Sequence, residues 1–86
     1  MTRSDALQMA ADFVTKVRVA PNPVSLARAA VLPLQLPSVF SVDETRDVAS
    51  FLYLMKRRNQ PADGDFVARA LSDLLARLGH TGPAGR

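Results

Sequence analysis

The sequence predicts an all-α fold, a small four-helix bundle, and three observations lead to this prediction. Apolar residues recur at helical spacing in four separate segments of the 86-residue chain. Helix-start and helix-stop residues separate those segments. Hydrophobic residues at 48% and charged residues at 22% are typical of globular domains rather than disordered chains. We expect one domain over residues 1–79 and a flexible C-terminal tail over 80–86.

The first predicted helix has a continuous apolar stripe and ends before Pro21, which disfavours helix at the residue preceding it. Ser4 is the predicted N-cap, and Asp5 suits the positive end of the helix dipole. The residues expected to face the core are Ala6, Leu7, Met9, Ala10, Phe13, Val14 and Val17.

A short second helix is predicted over residues 24–32, after the helix-start signal Asn22–Pro23. Proline is well tolerated at the first helical position because it loses no hydrogen bond there. This segment is apolar nearly all round, so we expect it to lie between other helices rather than on the surface.

Two prolines predict an extended strap over residues 33–40, between the second and third helices. Pro33 and Pro37 have no N–H to donate, which favours extended or polyproline II geometry over helix. Three leucines alternate with other residues here, and we expect Leu32, Leu34 and Leu36 to run across the core. Docking of this segment on a second chain stays open as an alternative.

The third helix has the best-specified start in the chain. Ser41 and Glu44 have the spacing of a capping box, and Phe40 precedes the cap in the position of a hydrophobic staple. We expect this helix to continue to Arg58. The residues predicted to form its core stripe are Val48, Phe51, Leu52 and Met55.

The fourth helix is predicted over residues 65–78, after a short polar turn that favours an antiparallel hairpin with the third helix. Its core residues are Val67, Leu71, Leu74, Leu75 and Leu78. Gly79 is a suitable stop. Asp65/Arg69 and Asp73/Arg77 have the spacing of ion pairs on the opposite face.

The sequence offers no constellation suited to catalysis, cofactor binding or metal binding. His80 is the single histidine and there is no cysteine, which leaves no set of nitrogen and sulfur ligands and one poor candidate base. Asp63–Gly64–Asp65 resembles a fragment of a calcium loop, but the twelfth position is Leu74, so we interpret it as a helix cap. The four glycines form no phosphate-binding loop. We therefore expect a protein that is not an enzyme.

Composition also indicates the compartment and excludes some partners. Asp5 and Asp12 interrupt the region where a signal peptide would need an apolar stretch, and no segment has the length of a membrane span. The absence of cysteine fits a reducing compartment. We expect a soluble cytoplasmic protein without a membrane partner. The net charge of +3 is a weaker basic bias than dedicated nucleic-acid binders show.

One side of the third helix suggests a binding surface. Tyr53 and Leu54 fall outside the core stripe, and Phe66 of the fourth helix lies toward its charged side. Aromatic, leucine and arginine side chains near charges are typical of interface centres. We predict a protein–protein interaction module, such as an adaptor, inhibitor, chaperone-like or accessory subunit, that binds another protein or a second copy as a homodimer. The predicted partner-binding residues are Tyr53, Leu54, Arg57, Phe66 and Arg46.

Two other interpretations stay open. The strap or the first helix could cover these side chains within a single chain. Alternatively, the basic side of the third helix could make the protein a small DNA-binding regulator that contacts phosphates. The residues of that alternative are Arg46, Lys56, Arg57 and Arg58. Against it, Asp43 and Asp47 on adjoining turns would repel the DNA backbone. No motif is specific enough to indicate a family.

Overall fold

A computed structural model describes residues 2–57 and 63–79. They form four α-helices and no strand, so the predicted all-α class is confirmed. A 3₁₀ helix, Leu32–Gln35, follows the second α-helix. Arg58, most of the predicted polar turn, His80 and the predicted tail lie outside the described residues. The four helices are α1 (Arg3–Arg18), α2 (Pro23–Ala30), α3 (Val42–Arg57) and α4 (Gly64–Arg77).

The central feature of the fold is the α1–α4 pair, which has the most extensive contact between any two elements. Ala6, Ala10 and Ala68 are fully buried, and such small side chains allow the two backbones to approach closely. Arg3 at the start of α1 bonds to Leu78 after α4, and Arg18 at the end of α1 pairs with Asp65 at the start of α4. The two helices are therefore antiparallel.

The start of α1 and its buried face both differ from the prediction. Thr2, and not Ser4, is the N-cap: its hydroxyl accepts the N–H of Asp5 at 3.1 Å, and the Asp5 carboxylate accepts the N–H of Thr2 at 3.4 Å. Met9 is 44% exposed, whereas Ala11 is buried. The buried face of α1 is therefore rotated relative to the predicted arc, away from Met9 and toward Ala11.

α2 lies against α1 and α4 with one face and is exposed on the other. Pro23, Ala27 and Ala30 are its buried residues. Asn22 precedes the helix without a side-chain cap bond. The expectation that α2 is enclosed between other helices is wrong, because its outward face carries exposed Arg28 and two small exposed residues, Ser25 and Ala29.

The predicted extended strap instead begins as a 3₁₀ helix. Pro33 occupies an early position of that helix, where a missing N–H costs nothing, and the N–H of Leu34 donates to the carbonyl of Val31 at 3.0 Å. With about three residues per turn, alternate residues no longer share a face. Leu34 is fully buried, whereas Leu32 is 63% exposed and Leu36 is 37% exposed. Only one of the three predicted core leucines is therefore part of the core.

α3 begins as predicted, at a complete capping box. The N–H of Ser41 donates to the Glu44 carboxylate at 2.9 Å, and the N–H of Glu44 donates to the Ser41 hydroxyl at 3.2 Å. Phe40, just before the cap, is buried. The predicted stripe is confirmed for Val48, Phe51 and Met55, which are buried, and Leu52 is half-buried against the same core.

α4 has the predicted apolar face, and each of its ends lies one residue before the predicted bounds of 65–78. The N–H of Phe66 donates to the Asp63 carboxylate at 2.7 Å, so Asp63 caps the helix. Gly79 follows α4 with φ at +85°, the left-handed geometry that glycine adopts without strain. The predicted core residues Val67, Leu71, Leu74, Leu75 and Leu78 are all buried.

The crossing of α1 and α4 depends on Gly64. A Cβ atom at this position would lie 2.1 Å from the backbone carbonyl oxygen of Arg18, closer than any real contact of that kind. Beside it, the Arg18 guanidinium pairs with Asp65 at 3.3 Å. The predicted pairs Asp65/Arg69 and Asp73/Arg77 are wrong, since neither forms in the described part of the chain.

Candidate protein-binding surface

Tyr53 and Leu54 lie on the side of α3 that faces away from the core. Tyr53 is 61% exposed and Leu54 is 42% exposed, so neither the 3₁₀ helix nor α1 covers them. The helical period explains their position, because Val48, Phe51 and Met55 fix the inward face of α3 and leave residues 53 and 54 outside it. The alternative of coverage within one chain is wrong for these two side chains.

A groove of about 290 Å³ runs between α3 and α4 beside Leu54. Its apolar lining is made of Phe51, Leu54, Phe66, Ala70 and Leu74. Its polar lining is made of Asp47, Ser50, Arg69, Asp73 and Arg77. The groove brings together two predicted partner-binding residues, Leu54 and Phe66, from two helices. Phe66 is half-buried against the core rather than exposed.

Tyr53 and Arg57 form a second part of the surface, outside the lining of the groove. The guanidinium carbon of Arg57 lies 5.7 Å from the centre of the Tyr53 ring, within the range of a cation–π contact. The two residues are one helical turn apart, which places them side by side on α3. This contact holds a large aromatic side chain and a cation together at the exposed face.

Arg46 lies nearer the start of α3, where its guanidinium is 3.7 Å from the Asp43 carboxylate. Both side chains are exposed, so solvent screens the pair strongly. Lys56 and Arg57 are also exposed on α3, and Arg58 lies outside the described residues. Arg46, Lys56 and Arg57 therefore share a helix with Asp43, Glu44 and Asp47 near its start.

Sequence reasoning missed a second, shallower groove on the other flank of α3. Its volume is about 460 Å³. It is lined by Ser25, Arg28, Ala29, Leu32, Gln35 and Leu52. The prediction of an extended strap placed Leu32 against the core, so the groove that Leu32 lines was not predicted. The signal that could have revealed it is Pro33 at the first turn of a helix, a position that proline favours.

Arg3 makes long-range contacts that no local pattern in the sequence indicates. Its guanidinium donates to the carbonyl oxygen of Leu78, forms an ion pair with Glu44 and lies 5.1 Å from the centre of the Phe40 ring. One side chain thus joins the start of α1, the end of α4 and the start of α3. Because Glu44 and Leu78 share this partner, α3 and α4 are antiparallel, as predicted.

Glu44 is the one described residue whose pKa clearly departs from its ordinary value. The Ser41 N–H that donates to its carboxylate is the main cause of the lowered pKa, and Arg3 adds to the effect, while partial burial opposes it. Hydrogen bonds and positive charge favour the ionised carboxylate. The role of this group is to cap α3 and attach it to α1.

In residues 2–57 and 63–79, no charged or polar side chain is buried, and no three acidic or histidine side chains lie close enough to hold a metal ion. None of the described helices is long and apolar enough to cross a membrane.

Comparisons with protein-family models, curated proteins and solved structures find no match to this chain.

Proposed function

We propose that this protein is a non-enzymatic interaction module that binds another protein through the exposed side of α3 and the adjoining α3–α4 groove. The observation that carries the proposal is the pair Tyr53 and Leu54, two large adjacent side chains that remain exposed beside a groove with an apolar lining. Full burial of a leucine side chain from complete exposure is worth about 1.5–3 kcal/mol, and Tyr53 and Leu54, already partly covered, would each contribute a part of that amount.

The chemistry of this surface suits an interface centre. Tyrosine and arginine are enriched among the residues that contribute most to protein–protein binding. The Tyr53–Arg57 contact places an aromatic ring and a cation side by side, so that one partner surface can meet both. The mechanism is steric: the bound module occupies a surface of its partner and thereby blocks or organises it.

The test is the double variant Tyr53→Ala/Leu54→Ala, measured by sedimentation velocity and by capture of partners on the tagged protein. We expect the circular dichroism spectrum to stay unchanged and the association to be lost. The matched control is Met9→Ala, which removes a side chain of nearly the same exposure, 44% against 42% for Leu54, from the distant α1. Equal association by the wild type, the double variant and the control would contradict the proposal.

Nucleic-acid binding is the second candidate, supported by the exposure of Arg46, Lys56 and Arg57 on α3. Its test is a titration against random duplex DNA at two salt concentrations. Release of counterions from the phosphates predicts a steep loss of affinity as salt rises. Absence of binding at the lower salt concentration would eliminate this candidate.

A further inference from the structure

The charges that line the α3–α4 groove balance one another. Asp47 and Asp73 are acidic, and Arg69 and Arg77 are basic, so the lining is neutral in a chain whose net charge is +3. A net charge of +3 makes two copies of this protein repel each other weakly on average. The groove is a patch where that repulsion is absent.

None of these four side chains forms an ion pair with another residue in 2–57 or 63–79. Asp73 and Arg77 have the spacing of an ion pair, yet the only ion pairs among described residues are Arg3–Glu44, Arg18–Asp65 and Arg46–Asp43. Arg69, Asp73 and Arg77 are exposed, and Asp47 is half-buried. Both signs of charge are therefore available to a molecule that enters the groove.

We propose that the occupant of the α3–α4 groove is a second copy of this chain, related to the first by a twofold axis. This inference rests on the proposed function and names its partner. In a twofold interface the same patch meets itself, so a residue of one copy that contacts a second residue receives the reciprocal contact. A patch with equal numbers of acids and bases can place each acid of one copy near a base of the other.

The apolar part of the groove supplies the centre of this contact. Leu54 stands at its edge, and Phe51 and Leu74 form its buried floor. An apolar centre surrounded by charged residues is the usual arrangement of a protein interface. The exposed Leu54 side chain of each copy enters the groove of the other and covers that floor.

The groove on the other flank of α3 does not have this self-complementarity. Arg28 is its one charged lining residue, so a second copy would bring another arginine and no carboxylate. Charge therefore distinguishes the two flanks of α3 and assigns the contact between copies to the α4 side.

The experiment uses two variants of the full chain that reverse opposite halves of the groove charge. Asp47→Lys/Asp73→Lys makes the lining entirely basic, and Arg69→Glu/Arg77→Glu makes it entirely acidic. The probe is the purified protein itself, and the readout is its mass by light scattering and sedimentation over a range of concentrations. Circular dichroism and thermal unfolding verify that each variant is folded.

We expect the wild type to reach twice its chain mass of 9.3 kDa. The dimer dissociation constant of each variant alone should rise at least about tenfold, because like charges then face each other. An equimolar mixture of the two variants should recover the dimer, since a basic groove then meets an acidic one. Leu54→Asp, a single change at an exposed position, should also give a monomer.

The result that overturns the inference is a wild type that stays at 9.3 kDa at every concentration. Variants that dimerise as well as the wild type, or a folded mixture that does not recover the dimer, would overturn it too. These failures are separate from failure of the proposed function. A monomer whose binding to a different protein depends on Tyr53 and Leu54 would refute the second-copy contact alone.

Discussion

α1 and α3 have the same length, 16 residues, but use their apolar residues in different ways. α1 buries six residues, mostly alanine and valine, against α4 and α2, and both of its ends are attached to α4. α3 buries three residues and leaves Tyr53 and Leu54 exposed. The α1–α4 pair therefore holds the larger share of the buried core, and α3 presents two large adjacent side chains that are available for binding.

The largest expected difference between the two regions comes from matched leucine-to-alanine changes. Leu71 of α4 is fully buried, so Leu71→Ala should lower the free energy of unfolding by about 3 kcal/mol through lost burial and a new cavity. Leu54→Ala should cost less than about 1 kcal/mol because that side chain is already partly in water. Urea denaturation at low protein concentration measures both. Similar losses for the two variants would refute the division into a core-forming pair and a binding helix.

A second, somewhat smaller effect tests the crossing of α1 and α4. Gly64→Ala would place a methyl group against the Arg18 carbonyl oxygen, and the forced separation should cost about 2 kcal/mol despite the better helix propensity of alanine. The control is Gly79→Ala, where the nearest atom outside the neighbouring residues is 3.9 Å away and only the positive φ is strained. That change should cost about 1 kcal/mol. If Gly64→Ala unfolds at the same urea concentration as the wild type, the backbones do not cross as closely as described.

The smallest effect concerns the attachment of α3 through Glu44. Its lowered pKa means that the ionised form stabilises the fold, so this contribution is complete at neutral pH and is lost as the pH falls through the folded-state pKa. The loss should be about 0.5–1 kcal/mol, as expected for a partly exposed capping group. Glu44→Gln should be less stable than the wild type at pH 7 and nearly equal to it in acid. A constant difference across that range would exclude titration of Glu44 as the cause.

The sequence predicted those parts of the fold that depend on neighbours along the chain. The capping box at Ser41 and Glu44, the cap at Asp63 and the stop at Gly79 each involve residues within about one helical turn. The core stripes of α3 and α4 follow from the helical period, and so does the outward position of Tyr53.

Most of the parts that the sequence did not predict depend on contacts between distant segments. The cap of α1 is an exception, because Thr2 and Asp5 are local partners although Ser4 was the predicted cap. Arg3 bonds to a carbonyl 75 positions further along the chain, and Arg18 replaces Arg69 as the partner of Asp65. Neither contact can be inferred from sequence spacing, because a long side chain can pair with any suitable group that the fold brings near it. The outward turn of Leu32 likewise depends on a 3₁₀ helix that proline permits but does not require.

The contact of Gly64 with the Arg18 carbonyl also limits how this sequence can change. Leucine, valine and methionine can replace one another in the core with small repacking, but no side chain can replace the single hydrogen at position 64 while the two helices keep their spacing. The glycine just after the capping aspartate, placed against the end of the first helix, is therefore a stricter requirement of this fold than the identity of any one apolar core residue.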